Sequence, residues 1–129
     1  MARTTINDLL AAARARLERL SPEAAAAAAR EGAVIVDIRS ETQRARDGLV
    51  PGAVHHPRNV LEWRMDPSSG HNDPAVGGLE RRVIVMCDAG YASSLAAATL
   101  REIGFARAAD LDGGFQAWRG AGLPVEPLA

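Results

Sequence analysis

Two short runs constrain this chain more than any other feature: Val34-Ile35-Val36 and Val83-Ile84-Val85-Met86. Neither alternates apolar with polar residues, so both faces of each run must be covered. That is the demand of a strand inside a parallel sheet, not of a half-solvated antiparallel one. Around them lie segments with helical spacing or helix start signals. Strands that alternate with helices indicate an α/β fold, a parallel sheet with helices on both faces. At 129 residues the chain has room for one such domain and little beyond it.

In chain order, Ile6, Leu9, Leu10, Ala13, Leu17 and Leu20 recur at helical spacing. They predict an amphipathic helix over residues 1–20 that packs on the domain as an N-terminal extension, with a dimer contact as the alternative. Ser21-Pro22-Glu23 is a helix start, and the alanine-rich segment behind it stops at Gly32. The strand at Val34 ends in Asp37-Ile38-Arg39, with Arg39 expected to pair structurally with Asp37 or Glu41. Ser40 to Gln43 is a capping-box pattern that opens a short helix, broken between Gly48 and Gly52. Ala53-Val54-His55 is a short strand, residues 58–64 form one or two helical turns, and residues 66–78 have loop composition. Past the second apolar run, a helix from Ser93 ends near Gly104, and a weakly marked alanine-rich strand falls within 105–111. Asp112-Gly113-Gly114 is a turn, and a last helix carries Phe115 and Trp118 on one core-facing side. Residues 126–129 are expected to form a C-terminal tail.

The chemistry concentrates at the end of the second run. Cys87, the only cysteine, follows the strand directly; a tight segment, Asp88 to Ala92, leads to a helix that begins near Ser93. A strand end, a short loop and a helix N-terminus present free backbone N–H groups and the positive end of a helix dipole. A thiolate is favoured in that cradle, and the thiolate is the nucleophile. A buried structural cysteine is the competing reading. Ligands of open parallel sheets bind outside the carboxyl ends of the strands, which favours the reactive one.

Other chemistries are excluded by what is absent. All 15 basic residues are arginine, so neither lysine Schiff-base chemistry nor a P-loop lysine is available. The net charge of −1 selects neither nucleic acid nor an anionic membrane. One cysteine forms no intrachain disulfide and no multi-cysteine metal site. His55 and His56 are adjacent, His71 sits in a loop, and no third ligand has suitable spacing, so no metal and no cofactor are expected. No tripartite leader and no membrane-spanning apolar run are seen, which predicts a soluble cytoplasmic protein.

Five motifs stand in an order that resembles a single-domain rhodanese, over roughly residues 21–125. They are Val34 to Arg39; Gly48 to His55, a Gly-x-x-x-Gly-Ala segment; Pro57-Arg58 through Pro67; the Cys87–Ser93 loop; and Leu111-Asp112-Gly113-Gly114-Phe115-Gln116-Ala117-Trp118 followed by Gly122-Leu123-Pro124. The resemblance implies a five-stranded parallel sheet and sulfurtransferase activity. Cys87 would take sulfane sulfur from a donor such as thiosulfate as a persulfide. Asp88, Ala89, Gly90, Tyr91, Ala92 and Ser93 would bind substrate, mainly through backbone N–H groups. Ser93 or Ser94 would add a hydroxyl donor or cap the helix, and Arg58 would supply a cation. The implied partners are a small sulfur donor and a thiol or cyanide acceptor, with a sulfur-acceptor protein as a further one, for a monomer or homodimer.

The loop departs from the family pattern. Arginine often follows the cysteine directly and recurs five positions after it; here those positions hold Asp88 and Ala92. An acid beside the thiol repels a dianion such as thiosulfate and disfavours the thiolate relative to an arginine-bearing loop. The departures motivate a second reading, a persulfide carrier or protein-binding module with low turnover. A third, a cysteine phosphatase or arsenate reductase, wants Cys-x5-Arg, and Ser93 stands where that arginine would be.

Overall fold

The computed structural model describes residues 2–128. Five parallel strands form one sheet: β1 (Arg19–Leu20), β2 (Val34–Asp37), β3 (Val54–His55), β4 (Val83–Met86) and β5 (Ala108–Leu111), in the spatial order β1-β5-β4-β2-β3. The helices are α1 (Ile6–Ala15), α2 (Pro22–Arg30), α3 (Glu41–Asp47), α4 (Leu61–Met65), α5 (Ala92–Glu102) and α6 (Gly114–Gly120). Two single 3₁₀ turns, Arg58–Val60 and Pro74–Val76, interrupt the connection from β3 to β4.

Alternate residues of the central strands feed two cores. Val34, Val36, Val83, Val85 and Cys87 face the side covered by α4 and α5. Ile35, Ile84 and Met86 face the side covered by α2 and α6, where Phe115 and Trp118 are buried as expected. All residues of β2, β4 and β5 are buried, so these strands carry no polar alternation.

The helix starts follow their caps. Ser21 accepts from the Ala24 N–H with Pro22 in the first turn, and Ser40 and Gln43 form a capping box. The N-terminal segment differs from the expectation of one helix to Leu20. Its helix, capped by Thr5 and Asp8, stops at Ala15, and Arg19–Leu20 pair with Asp110 and Leu111 as an edge strand. Ile6 and Leu9 are exposed, and Ala13 is the buried residue where α1 lies against α5. The chain end is tied rather than free-running, because Leu49 and Glu126 exchange backbone hydrogen bonds of 2.7 and 2.9 Å. Ala129 lies outside the described residues.

The sheet has two distinct ends. The carboxyl ends of β2, β4 and β5 lead into the segments around Arg39, Cys87 and Asp112. The turns that enter the same strands, at Gly32, Arg81 and Arg107, gather at the opposite, amino-terminal end of the sheet.

Candidate active site

Cys87 comes directly after β4, at its carboxyl end, and the chain turns from there into α5. The side chain is only 7 % exposed. It nevertheless lines a cavity of about 220 Å³ together with Ile38, Arg39, Gln43, Arg58, Asp88, Ala89, Tyr91 and Ala92. Two backbone N–H groups converge on Sγ, from Gly90 at 3.1 Å and Ser93 at 3.4 Å. Donors aimed at one sulfur, at the N-terminus of an eleven-residue helix, suit an anionic sulfur.

Glycines permit this turn. Gly90 has φ +89°, and a Cβ there would stand 2.7 Å from the Gly113 nitrogen. Gly114 has φ +64°, and a Cβ would stand 2.5 Å from the Cys87 carbonyl oxygen. That approach lets the first N–H groups of α6 serve the loop: Phe115 N–H donates to the Cys87 carbonyl at 2.8 Å and Gln116 N–H to that of Asp88 at 3.1 Å. The Gly113-Gly114 pair is therefore a seat for the cysteine loop.

The expected site residues divide by what they present. Gly90 and Ser93 present N–H groups to the sulfur; Asp88, Ala89, Tyr91 and Ala92 line the cavity, with Ala89, Tyr91 and Ala92 exposed. The Ser93 and Ser94 hydroxyls do not turn to the sulfur. Both donate to Asp110 Oδ2, at 2.9 and 2.8 Å, because that carboxylate is fully buried at the end of β5 and must be satisfied. Asp88 leans toward α6 and accepts from Gln116 Nε2 at 3.0 Å, with Arg46 Nη2 3.9 Å away. Arg58 does reach the cavity, but its Nη1 is held by both carboxylate oxygens of Glu62, at 2.8 and 2.9 Å. Arg39 pairs with Asp37 at 2.9 Å as expected, stacks its guanidinium 3.9 Å from the Phe115 ring centroid, and also lines the cavity, where it was not expected. His55 and His56 are held by other groups: His56 Nε2 lies 2.8 Å from Asp73, and His55 Nε2 lies 2.8 Å from the Arg39 carbonyl.

Arg14, Arg19 and Asp110, none of them expected at the site, hold the loop through Gly90, Ser93 and Ser94, which are not cavity-lining residues. One signal does point to them. An aspartate inside the buried run Ala108-Ala109-Asp110-Leu111 requires a cation or several donors, and here Arg19 and the two serines meet that requirement.

Residues 21–121 match the sequence profile of the rhodanese family, described as the rhodanese-like domain. The chain belongs to that family. A relative from Stutzerimonas stutzeri, a thiosulfate sulfurtransferase GlpE, is 38% identical over 102 residues, covering 79% of this chain and 84% of its own. Among solved structures, a Rhodopseudomonas palustris protein described as of unknown function, "possible tyrosine phosphatase", superposes with a TM-score of 0.87 at 36% identity. The match covers 98% of this chain and 99% of that one. A polysulfide-sulfur transferase homodimer from Wolinella succinogenes gives a TM-score of 0.70 at 28% identity, over 93% of this chain and 85% of that one. The likeness to the first structure thus extends over α1 and β1, which precede the rhodanese-like match.

Proposed function

We propose that this rhodanese-like protein is a sulfurtransferase in which Cys87 carries sulfane sulfur as a persulfide. The observation that carries the proposal is the convergence of the Gly90 and Ser93 N–H groups on Sγ in an open cavity at a helix N-terminus. Family membership and the sulfurtransferase relatives support it.

With thiosulfate as donor, the Cys87 thiolate attacks the outer sulfur, the S–S bond breaks, and sulfite leaves with the electron pair. The negative charge then rests on the terminal sulfur of the persulfide, within reach of the loop donors. An acceptor thiolate or cyanide attacks that sulfur and regenerates the Cys87 thiolate. Every step is a displacement at sulfur, so no external oxidant or reductant is consumed.

The cavity walls favour donors of low charge. Asp88 lines them, and both arginines that line them are already paired, Arg39 with Asp37 and Arg58 with Glu62. Organic persulfides therefore suit the cavity better than thiosulfate does, and a persulfide-carrier role with slow turnover on thiosulfate fits the same walls. A phosphatase or arsenate reductase reading lacks its oxyanion-gripping arginine: Ser93 takes that place and spends its hydroxyl on Asp110.

Intact mass spectrometry after incubation with thiosulfate, and separately with glutathione persulfide, tests the proposal. One added sulfur is expected in the wild type and none in Cys87→Ser, whose thermal stability should stay near wild type because the exchange is nearly isosteric. Sulfur uptake by the serine variant, or no uptake from either donor by the wild type, sinks it.

A further inference from the structure

Two arginines that do not line the cavity reach the cysteine loop from the N-terminal segment. Arg14, in the last turn of α1, donates from Nη2 to the Gly90 carbonyl at 2.9 Å and from Nε to Ser94 Oγ at 3.1 Å. Arg19, in β1, donates from Nη2 to the same carbonyl, also at 2.9 Å. Its Nε bonds Asp110 Oδ1 at 3.1 Å, and its Nη1 bonds Asp112 Oδ1 at 3.0 Å. The guanidinium of Arg14 also lies 5.4 Å from the centroid of the exposed Tyr91 ring. One peptide carbonyl thus receives two cationic donors, a strong form of hydrogen bond.

The carbonyl so gripped belongs to Gly90, whose own N–H donates to Cys87 Sγ. The other donor to Sγ is the N–H of Ser93, a residue whose hydroxyl is fixed to Asp110, the partner of Arg19. Both N–H groups on the sulfur therefore come from residues held by the same network. Gly90 needs such a hold, since a glycine at positive φ has the widest choice of alternative conformations in the loop.

We propose that Arg14 and Arg19 form a guanidinium clamp on the Gly90 carbonyl. It positions the N–H donors around Cys87 and replaces, from the N-terminal segment, the cationic support absent at Asp88 and Ala92. The idea rests on Cys87 being the nucleophile proposed above and adds the residues that hold its loop. The surroundings of Arg19 agree with a persistent cation. Burial works against its charge, but the hydrogen bond to Asp110, with Asp110, Asp112 and Cys87 nearby, more than compensates and raises its pKa.

Position distinguishes this clamp from arginines in the loop itself. A loop arginine contacts the donor and favours anions. Arg14 and Arg19 lie outside the cavity lining and act through the sulfur's hydrogen bonds, to which Arg19 adds its charge near Cys87. They are positioning residues, and the effect of removing Arg14 should vary little with the charge of the incoming sulfur donor.

The test uses the full chain with Arg14→Gln, Arg19→Gln, Arg14→Lys and Arg19→Lys. Arg14→Gln is the safer variant, because it leaves the Arg19–Asp110 pair in place if removal of Arg19 unfolds the protein. Alkylation of Cys87 by iodoacetamide, a neutral probe needing no sulfur donor, should slow by about tenfold in a folded Arg14→Gln protein. Lysine should recover part of that loss, since it keeps the charge and one donor. In turnover, kcat should fall by a similar factor for the thiosulfate dianion and for an organic persulfide of lower charge, with KM changed less than about twofold for either. Alkylation at the wild-type rate in Arg14→Gln overturns the clamp. So does a loss confined to thiosulfate and expressed in KM, which would mean that the arginines touch the donor. A wild type that never loads sulfur, but whose alkylation slows in Arg14→Gln, refutes sulfur transfer while supporting the clamp.

Discussion

Asp88 stands where the resemblance to rhodanese loops leads one to expect an arginine, and its surroundings show what exchanging the two would do. Its carboxylate accepts from Gln116 and faces Arg46 at the cavity wall. Asp88→Arg changes the local charge by two units beside the incoming anion. A unit charge at ~4 Å is worth about 4 kcal/mol at an effective dielectric of ~20, and exposure at the cavity mouth reduces this to ~1–2 kcal/mol. We expect kcat/KM for thiosulfate to rise about tenfold, an organic persulfide of lower charge to gain less, and the difference to shrink at high salt. Unchanged thiosulfate kinetics in a folded variant would show that this position does not set donor choice. At this scale the place of Cys87 is legible in sequence, because a cysteine after a buried run and before a helix leaves few structural options. The bracing is not legible. Arg14 and Arg19 lie 76 and 71 residues from Gly90, and nothing local in a polar helix face or a two-residue strand marks them as partners of a distant carbonyl. The serines misled for a related reason: their hydroxyls answer to Asp110, 17 and 16 residues on, and not to the adjacent thiol.

Elements were readable where their residues carry a strong local signal. β2 and β4 announce themselves through Val and Ile, and α2 and α3 through their caps. β5 is fainter because alanine carries little strand preference. β1 is hidden, since Leu20 continues the period of α1 although the helix has ended and the residue has joined the sheet. The contacts between elements make two predictions. Asp47, at the end of α3, accepts from Arg46 at 2.8 Å and from Gln116 of α6 at 3.0 Å, with Arg119 3.3 Å away. The Arg46 hydrogen bond first, then Gln116 and the charges of Arg46 and Arg119, hold its pKa well below the carboxylate range against the effect of burial. A depressed folded value means that its stabilisation is complete above the unfolded value of about 4 and is lost as pH falls through the folded one. Asp47→Asn should therefore melt below wild type at pH 7, with the gap closing on strong acidification; a gap independent of pH would refute the linkage. The second concerns the seat of the cysteine loop. Gly114→Ala adds a Cβ at 2.5 Å from a backbone oxygen, whereas Gly122, also at positive φ, has open space around it. We expect Gly122→Ala to cost about 1 kcal/mol of backbone strain and Gly114→Ala more than about 2 kcal/mol, by denaturant unfolding. Equal costs would mean that the close approach of α6 to the loop is unimportant.

Across the molecule, protection should follow the order of the sheet. β4 is flanked by β2 and β5 and buried on both faces, while α1 keeps Ile6 and Leu9 in solvent. Hydrogen exchange should be slowest at the amides of β4 and its neighbours and markedly faster in the first turn of α1. Equal protection in α1 and β4 would show that the N-terminal segment unfolds only with the whole domain. The general architecture was legible because alternating strands and helices admit few parallel topologies. The five-strand count came with the rhodanese resemblance and not from local pattern, as two of the strands are only two residues long. The separation of the sheet's two ends has a practical side. Every turn that enters a central strand, at Gly32, Arg81 and Arg107, lies at the end opposite Cys87. Those turns offer a protein engineer attachment points: an epitope, a fluorophore loop or a tether to a solid support grafted there leaves the mouth over the sulfur open. The same graft made between Cys87 and Tyr91 would dismantle it.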